Sequence, residues 1–128
     1  MEQRKALVVD DDPDARETVR FILEDKGFEV EEAYDGQMGV DAAKASRPDL
    51  IIMDAMMPKK DGYIACMEIK REESLAQVPI VMLSGVEDHV RGEPGAKNVK
   101  SSLDADEFLQ KPIEPGRFIE IIDRLMEQ

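Results

Sequence analysis

Leu50-Ile51-Ile52-Met53 is an unbroken apolar run that stops at the carboxylate of Asp54 and gives way to Ala55-Met56-Met57-Pro58-Lys59-Lys60-Asp61-Gly62. A strand that is apolar on both sides of its pleat must be covered on both faces, which calls for helices above and below it and favours a parallel sheet. The same run places Asp54 at a strand tip, on the rim of an apolar core. An ionised carboxylate in that position is costly unless a metal ion, a donor or water receives it. The rest of the chain has to supply the partner.

The flanking segments repeat one pattern. Ala6-Leu7-Val8-Val9 is a short apolar run ending in Asp10-Asp11-Asp12-Pro13-Asp14, which predicts a buried strand, an acidic N-cap and Pro in the first turn of a helix. Ala15, Val19, Ile22 and Leu23 recur at helical spacing up to about Lys26, and Gly27 supplies a stop. Phe28 to Ala33 alternates apolar and acidic residues, as in a strand with one wetter face near a sheet edge. A second helix is predicted from Gly36 to Ala45 with Val40 and Ala43 inward, and Asp61 is predicted to cap a third through about Glu73 with Ile64, Met67 and Ile69 facing the core. Pro79 to Ser84 reads as a fourth buried strand. Phe118, Ile121, Ile122 and Leu125 form the apolar stripe of a last helix after Pro115 and Gly116. The stretch from Val86 to Asp106, with Gly92, Pro94 and Gly95, has room only for a short helix around Ala96, Val99 and Leu103.

Strands alternating with helices imply a five-stranded, doubly wound parallel sheet with right-handed crossovers. The length of 128 residues suits one domain with one core. No apolar run reaches the roughly 20 residues of a membrane helix, and Met1-Glu2-Gln3-Arg4-Lys5 lacks a signal-peptide core, so a soluble, cytoplasmic protein is expected. Seventeen basic against 29 acidic residues give a net charge of −12, which reads as ordinary surface solubility and disfavours contact with nucleic acid or anionic lipid. Cys66 is the only cysteine, so an intramolecular disulfide is excluded and a buried structural thiol is expected.

In a doubly wound sheet, ligands bind beyond the carboxyl ends of the strands. There the first strand brings Asp10 and Asp11, the third Asp54, the fourth Ser84, and the turn Gln110-Lys111-Pro112 an ammonium group. Converging carboxylates repel one another, and a hard divalent cation relieves that best, with Mg²⁺ the natural candidate. Beside such a cation Asp54 becomes a carboxylate nucleophile able to form an aspartyl phosphate, with Lys111 and the Ser84 hydroxyl placed to receive phosphoryl oxygens.

The motifs Leu7 to Pro13, Leu50 to Pro58 with Asp61-Gly62, Met82-Leu83-Ser84-Gly85 and Phe108-Leu109-Gln110-Lys111-Pro112 closely resemble the receiver domain of two-component response regulators. The resemblance covers nearly the whole chain and implies a flavodoxin-like sheet of order 2-1-3-4-5 with about five helices. It makes Asp54 the phosphoacceptor, and Asp10, Asp11, Asp54 and the main-chain carbonyl of Met56 the Mg²⁺ ligands, Asp11 more directly than Asp10. Ser84 takes the switch hydroxyl position, Lys111 contacts phosphate, Phe108 is the switch aromatic, and the bond before Pro112 is expected to be cis. The implied partners are a histidine kinase or phosphotransfer protein and a downstream effector protein. The implied activity is limited to the domain's own phosphorylation and slow self-dephosphorylation. Residues 1–128 read as this domain alone, with no output domain.

Each of these residues also has a plainer reading. Asp10-Asp11-Asp12 can be a solvated helix cap, and Asp12 is read as no more than that. A calcium loop is ruled out by Ala15 and Phe21, which stand where Gly and Glu are needed. Ser84 can be an ordinary strand-end hydroxyl, and Phe108 plain core. Met53, Met56 and Met57 offer no thioether role, and His89 is read as exposed and inert. Ser84 and Lys111 stand further apart than is usual for receivers, and Asp104-Ala105 replaces a common Gly-Ala, which predicts a shortened or displaced fourth helix and a mobile loop from Gly92 to Ser102. Two competing functions remain: a small Mg²⁺-dependent phosphatase whose nucleophile is Asp10 of an Asp-x-Asp pair, and a receiver-like interaction module independent of phosphorylation.

Overall fold

A computed structural model describes residues 3–85 and 105–127. Five strands, β1 (Lys5–Val9), β2 (Glu29–Ala33), β3 (Leu50–Asp54), β4 (Ile80–Ser84) and β5 (Glu107–Gln110), form one sheet in the order β2-β1-β3-β4-β5, and every neighbouring pair is parallel. Four α-helices accompany it among the described residues: α1 (Pro13–Asp25), α2 (Gly36–Ser46), α3 (Gly62–Arg71) and α4 (Pro115–Met126). The fourth helix expected between β4 and β5, the Gly92 to Ser102 loop and His89 lie outside the described residues.

Alternate strand residues point to opposite faces, so each strand feeds two cores. Ala6 and Val8, Leu50 and Ile52, Val81 and Leu83, and Leu109 meet Val19, Ile22 and Leu23 of α1 and Phe118, Ile121 and Ile122 of α4. Leu7 and Val9, Ile51 and Met53, and Ile80 and Met82 meet Val40 and Ala43 of α2 and Ala65, Cys66 and Ile69 of α3. This is why β1, β3 and β4 carry continuous apolar runs, whereas the edge strand β2 alternates. Among the described residues no helix is long and apolar enough to cross a membrane.

All four of these helices open on an acid. The side chains of Asp12, Asp35, Asp61 and Glu114 accept main-chain N–H groups of the first turn, each cap worth about 1 kcal/mol. Gly27 closes α1 with φ +95, as a left-handed stop requires. Two expectations need correction. Ile64 is exposed instead of facing the core, because capping by Asp61 sets the phase of α3 so that Gly62, Ala65, Cys66 and Ile69 turn inward. Met67 is only half-buried and stands outside both core clusters, its sulfur accepting from Arg71 Nη2 at 3.7 Å. Cys66 is buried.

Candidate functional site

Parallel strand direction brings the ends of β1, β3 and β4 to one edge, and register decides which side chains meet there. Val9 pairs with Met53 and Asp54 with Leu83, so the residue after β1 and the last residue of β3 stand side by side. Asp10 is 1% exposed, Asp54 5% and Ser84 2%, while Asp11 projects into solvent at the tip of the β1–α1 turn. Carboxylate oxygens of Asp10, Asp11 and Asp54 all lie within 4.8 Å of one another. Like charges that close repel by on the order of 3 kcal/mol per pair at an effective dielectric of 20.

Lys111 enters from the turn after β5, where the Lys111–Pro112 peptide bond is cis. Its main-chain N–H donates to the Ser84 carbonyl, which fixes the turn to the end of β4. Its ammonium stands 3.1 Å from Asp54 Oδ1 and 3.1 Å from Asp10 Oδ2. The contact to Asp10 is a pairing of charge without the directional geometry of a hydrogen bond, and Asp10 Oδ2, though buried, has no hydrogen bond among the described residues. Asp10 Oδ1 is engaged, accepting the Asp12 main-chain N–H at 2.9 Å.

These surroundings set the protonation. Burial and the neighbouring Asp10 carboxylate push the Asp54 carboxyl up to about 6, against the pull of Lys111. Burial opposes the charge on Lys111, but the two carboxylates more than offset it and hold the ammonium above its ordinary range. Replacing Lys111 by Met removes the ammonium that pulls Asp54 toward its ionised form. The Asp54 midpoint is therefore expected to move above about 6 in metal-free protein, readable in carboxyl carbon shifts across a pH titration.

One lysine does not neutralise three acids, and hard oxygen donors with an unsatisfied buried carboxylate oxygen fit a divalent cation. Met56 lies in the turn two residues past Asp54, half-exposed. Phe108 is half-buried on the side of the sheet that carries α2 and α3. A cleft of about 490 Å³ lies between α1 and the β5–α4 turn, lined by Asp12, Thr18, Gly85, Lys111 and Pro112 among others.

The model of the response regulator receiver domain matches residues 6–123. The chain belongs to the response regulator receiver family. The receiver is 36% identical over 129 residues to the phosphate regulon transcriptional regulatory protein PhoB of Escherichia coli, and 32% identical over 127 residues to the DNA-binding dual master transcriptional regulator RpaA of Synechocystis. Those alignments take in 98% and 97% of this chain but 52% and 49% of the relatives, so the chain spans about half their length. Among solved structures it superposes on the Vibrio cholerae chemotaxis protein CheY4 with a TM-score of 0.84 at 31% identity, covering 97% of this chain and 99% of that one. It also superposes on the receiver domain of sensor histidine kinase PA1611 from Pseudomonas aeruginosa, with a TM-score of 0.84 at 27% identity, covering 99% of this chain and all of that one; there a magnesium ion is coordinated in the active-site cleft.

The receiver thus brings Asp10, Asp11, Asp54 and Lys111 into one cluster, with Ser84 buried at the neighbouring strand end. Sequence reasoning passed over Arg16 and Glu32. The available signal was an arginine one helical turn beyond the acid pair, but its partner sits on β2 and is found only once strand order is known.

Proposed function

We propose that this receiver is a phosphorylation-controlled switch that accepts a phosphoryl group on Asp54. The observation that carries the reading is a buried carboxylate at the tip of β3 with an ammonium at 3.1 Å and two further acids within 4.8 Å. Asp10, Asp11 and Asp54, with the Met56 carbonyl, would hold Mg²⁺, which when bound neutralises charge on the transferring phosphoryl group. An Asp54 oxygen attacks phosphorus as the bond to the donor's imidazole nitrogen breaks, and the imidazole leaves. The donor is a phosphohistidine on a histidine kinase or phosphotransfer protein. Lys111, 3.1 Å from Asp54 Oδ1, neutralises phosphoryl oxygens, and the Ser84 hydroxyl donates to one of them. Water later attacks the same phosphorus and releases Asp54, so the domain's own chemistry is slow self-transfer and self-hydrolysis.

The signal is a shift of population. Ser84 drawn toward the phosphoryl group frees space beside β4 into which Phe108 turns, and the face around β5 and α4 is repacked for a downstream effector protein. The acidic balance of the chain supports a protein partner over direct contact with nucleic acid or membrane, and membership of the receiver family supports a cytoplasmic setting.

Incubation with acetyl phosphate and Mg²⁺ followed by peptide mapping is expected to place a single phosphoryl group on the peptide that contains Asp54. A label on the peptide of Asp10 would instead support a small aspartyl phosphatase. No Mg²⁺-dependent label with any good donor would point to an interaction module that works without phosphorylation.

A further inference from the structure

Among the described residues, the Asp11 carboxylate has no hydrogen-bond or ion-pair partner, unlike those of Asp10 and Asp54. Where it stands is therefore decided by the main chain at the tip of β1. That main chain is held at three points: the Asp10 N–H donates to the Ala33 carbonyl at 3.1 Å, the Asp12 N–H to Asp10 Oδ1 at 2.9 Å, and Arg16 Nη1 to the Asp10 carbonyl at 2.8 Å. The last differs in kind from the others. The Asp10 carbonyl and the Asp11 nitrogen belong to one planar peptide unit, so a donor fixed on that oxygen fixes the plane from which Asp11 departs.

Arg16 is well placed to be that fixed donor. Its Nε donates to Glu32 Oε1 at 2.9 Å, its guanidinium lies 4.3 Å from the centre of the Tyr34 ring, and only 14% of its side chain is exposed. A planar fork engaged in several directions loses little freedom on making one more bond. Glu32 also accepts from Arg20 at 2.7 Å. Burial alone would raise the Glu32 carboxyl, but its bonds to Arg20 and Arg16 outweigh that and hold it below the ordinary carboxylate range. Glu32 therefore stays ionised and neutralises the guanidinium, which leaves the acid cluster free to attract a cation.

We infer that Arg16 is a positioning residue for divalent-cation binding, acting through the Asp10 carbonyl to hold the peptide between the two acids so that Asp11 reaches the same ion as Asp10 and Asp54. The inference rests on the reading of these acids as a cation site. Partners of metal ligands commonly change affinity by about 10- to 100-fold when removed.

Calorimetric titration of Mg²⁺ into the full chain tests it, with Arg16→Ala, Arg16→Lys and Arg20→Ala compared with the unsubstituted protein. Arg16→Ala is expected to weaken Mg²⁺ binding by about tenfold or more. Arg16→Lys, which keeps a charge and loses the fork, is expected to fall between the two. Arg20→Ala removes a neighbouring bond to Glu32 and leaves the Asp10 carbonyl contact, so its affinity should stay within about twofold of the original, given how little an exposed ion pair contributes. With acetyl phosphate as donor, the Mg²⁺ concentration for half-maximal phosphorylation of Arg16→Ala should rise while the rate at saturating Mg²⁺ is retained, a split that general loosening of the fold does not produce. If Arg16→Ala does not fold, Arg16→Lys carries the comparison. Unchanged affinity in the folded Arg16 variants overturns the inference, as does an equal loss in Arg20→Ala. A parent protein that binds no Mg²⁺ overturns the cation reading itself, and with it the inference.

Discussion

Replacing Asp54 by Asn is expected to abolish phosphoryl incorporation and, in the absence of divalent cation, to stabilise the fold at neutral pH. The first effect follows from removing the proposed nucleophile. Mass spectrometry after incubation with acetyl phosphate and Mg²⁺ reads it directly, and an unchanged mass gain in the variant would sink the assignment of Asp54. The second follows from the sign of the proton linkage. Burial and Asp10 push the folded-state carboxyl up to about 6, from an ordinary value of 3.8. Below about pH 4 both folded and unfolded chains hold the proton and the group contributes nothing to pH dependence. As pH rises from about 4 to about 6 the unfolded chain releases its proton first, so the contribution of Asp54 to stability falls; above about 6 the loss is complete and flat. The full loss is on the order of 3 kcal/mol. Asn keeps the shape without the charge, so thermal melts of metal-free protein should show this decline in the parent and its absence in the variant. Saturating Mg²⁺ should raise the melting temperature of the parent more than that of Asp54→Asn, because a cation that binds only the folded cluster stabilises it by mass action.

Gly62→Ala should be the most damaging single-methyl change near the site. Gly62 opens α3 where the chain doubles back against β3, and its N–H donates to the Ala55 carbonyl at 2.8 Å. A Cβ built there would lie 2.0 Å from the Asp54 carbonyl oxygen and 2.8 Å from its carbon. Main-chain atoms cannot rotate away, so either the helix start or the tip of β3 must shift. We expect a loss of about 3 kcal/mol, the upper end for overpacking, seen as a fall of about 10 °C in melting temperature. Slower phosphorylation should accompany it, since the displaced strand tip carries Asp54. A melt within about 1 °C of the parent would show that the approach of α3 to β3 is looser than these distances.

Much of this architecture was legible in the chain. The apolar runs of β1, β3 and β4 announce strands covered on both sides, and the alternation of β2 announces an edge, because burial on two faces or one leaves a period that can be read directly. Acids before Pro13 and Gly62, and Gly27 after α1, mark helix ends for equally local reasons. The phase of α3 was not legible. Ile64 is apolar and at helical spacing from other apolar residues, yet it faces solvent, because the inward positions must be small or absent side chains where the helix meets β3. Arg16 was missed for a related reason: a charged residue on a helix reads as surface until its partners on β1 and β2 are known.

By itself the sequence determined the alternation of strand and helix, the placing of Asp10, Asp11, Asp54, Ser84 and Lys111 at the carboxyl ends of strands or just beyond them, and hence the kind of chemistry available there. Those properties depend on hydrophobic period and local punctuation, which are written along the chain. The tertiary structure alone decided that Asp10 and Asp54 share one ammonium, that Asp10 Oδ2 is buried without a hydrogen bond among the described residues, and that a guanidinium from α1 donates to the carbonyl of the peptide between the two acids. These depend on strand order and register, which set contacts between residues far apart in sequence, and no local pattern encodes a distance across a sheet.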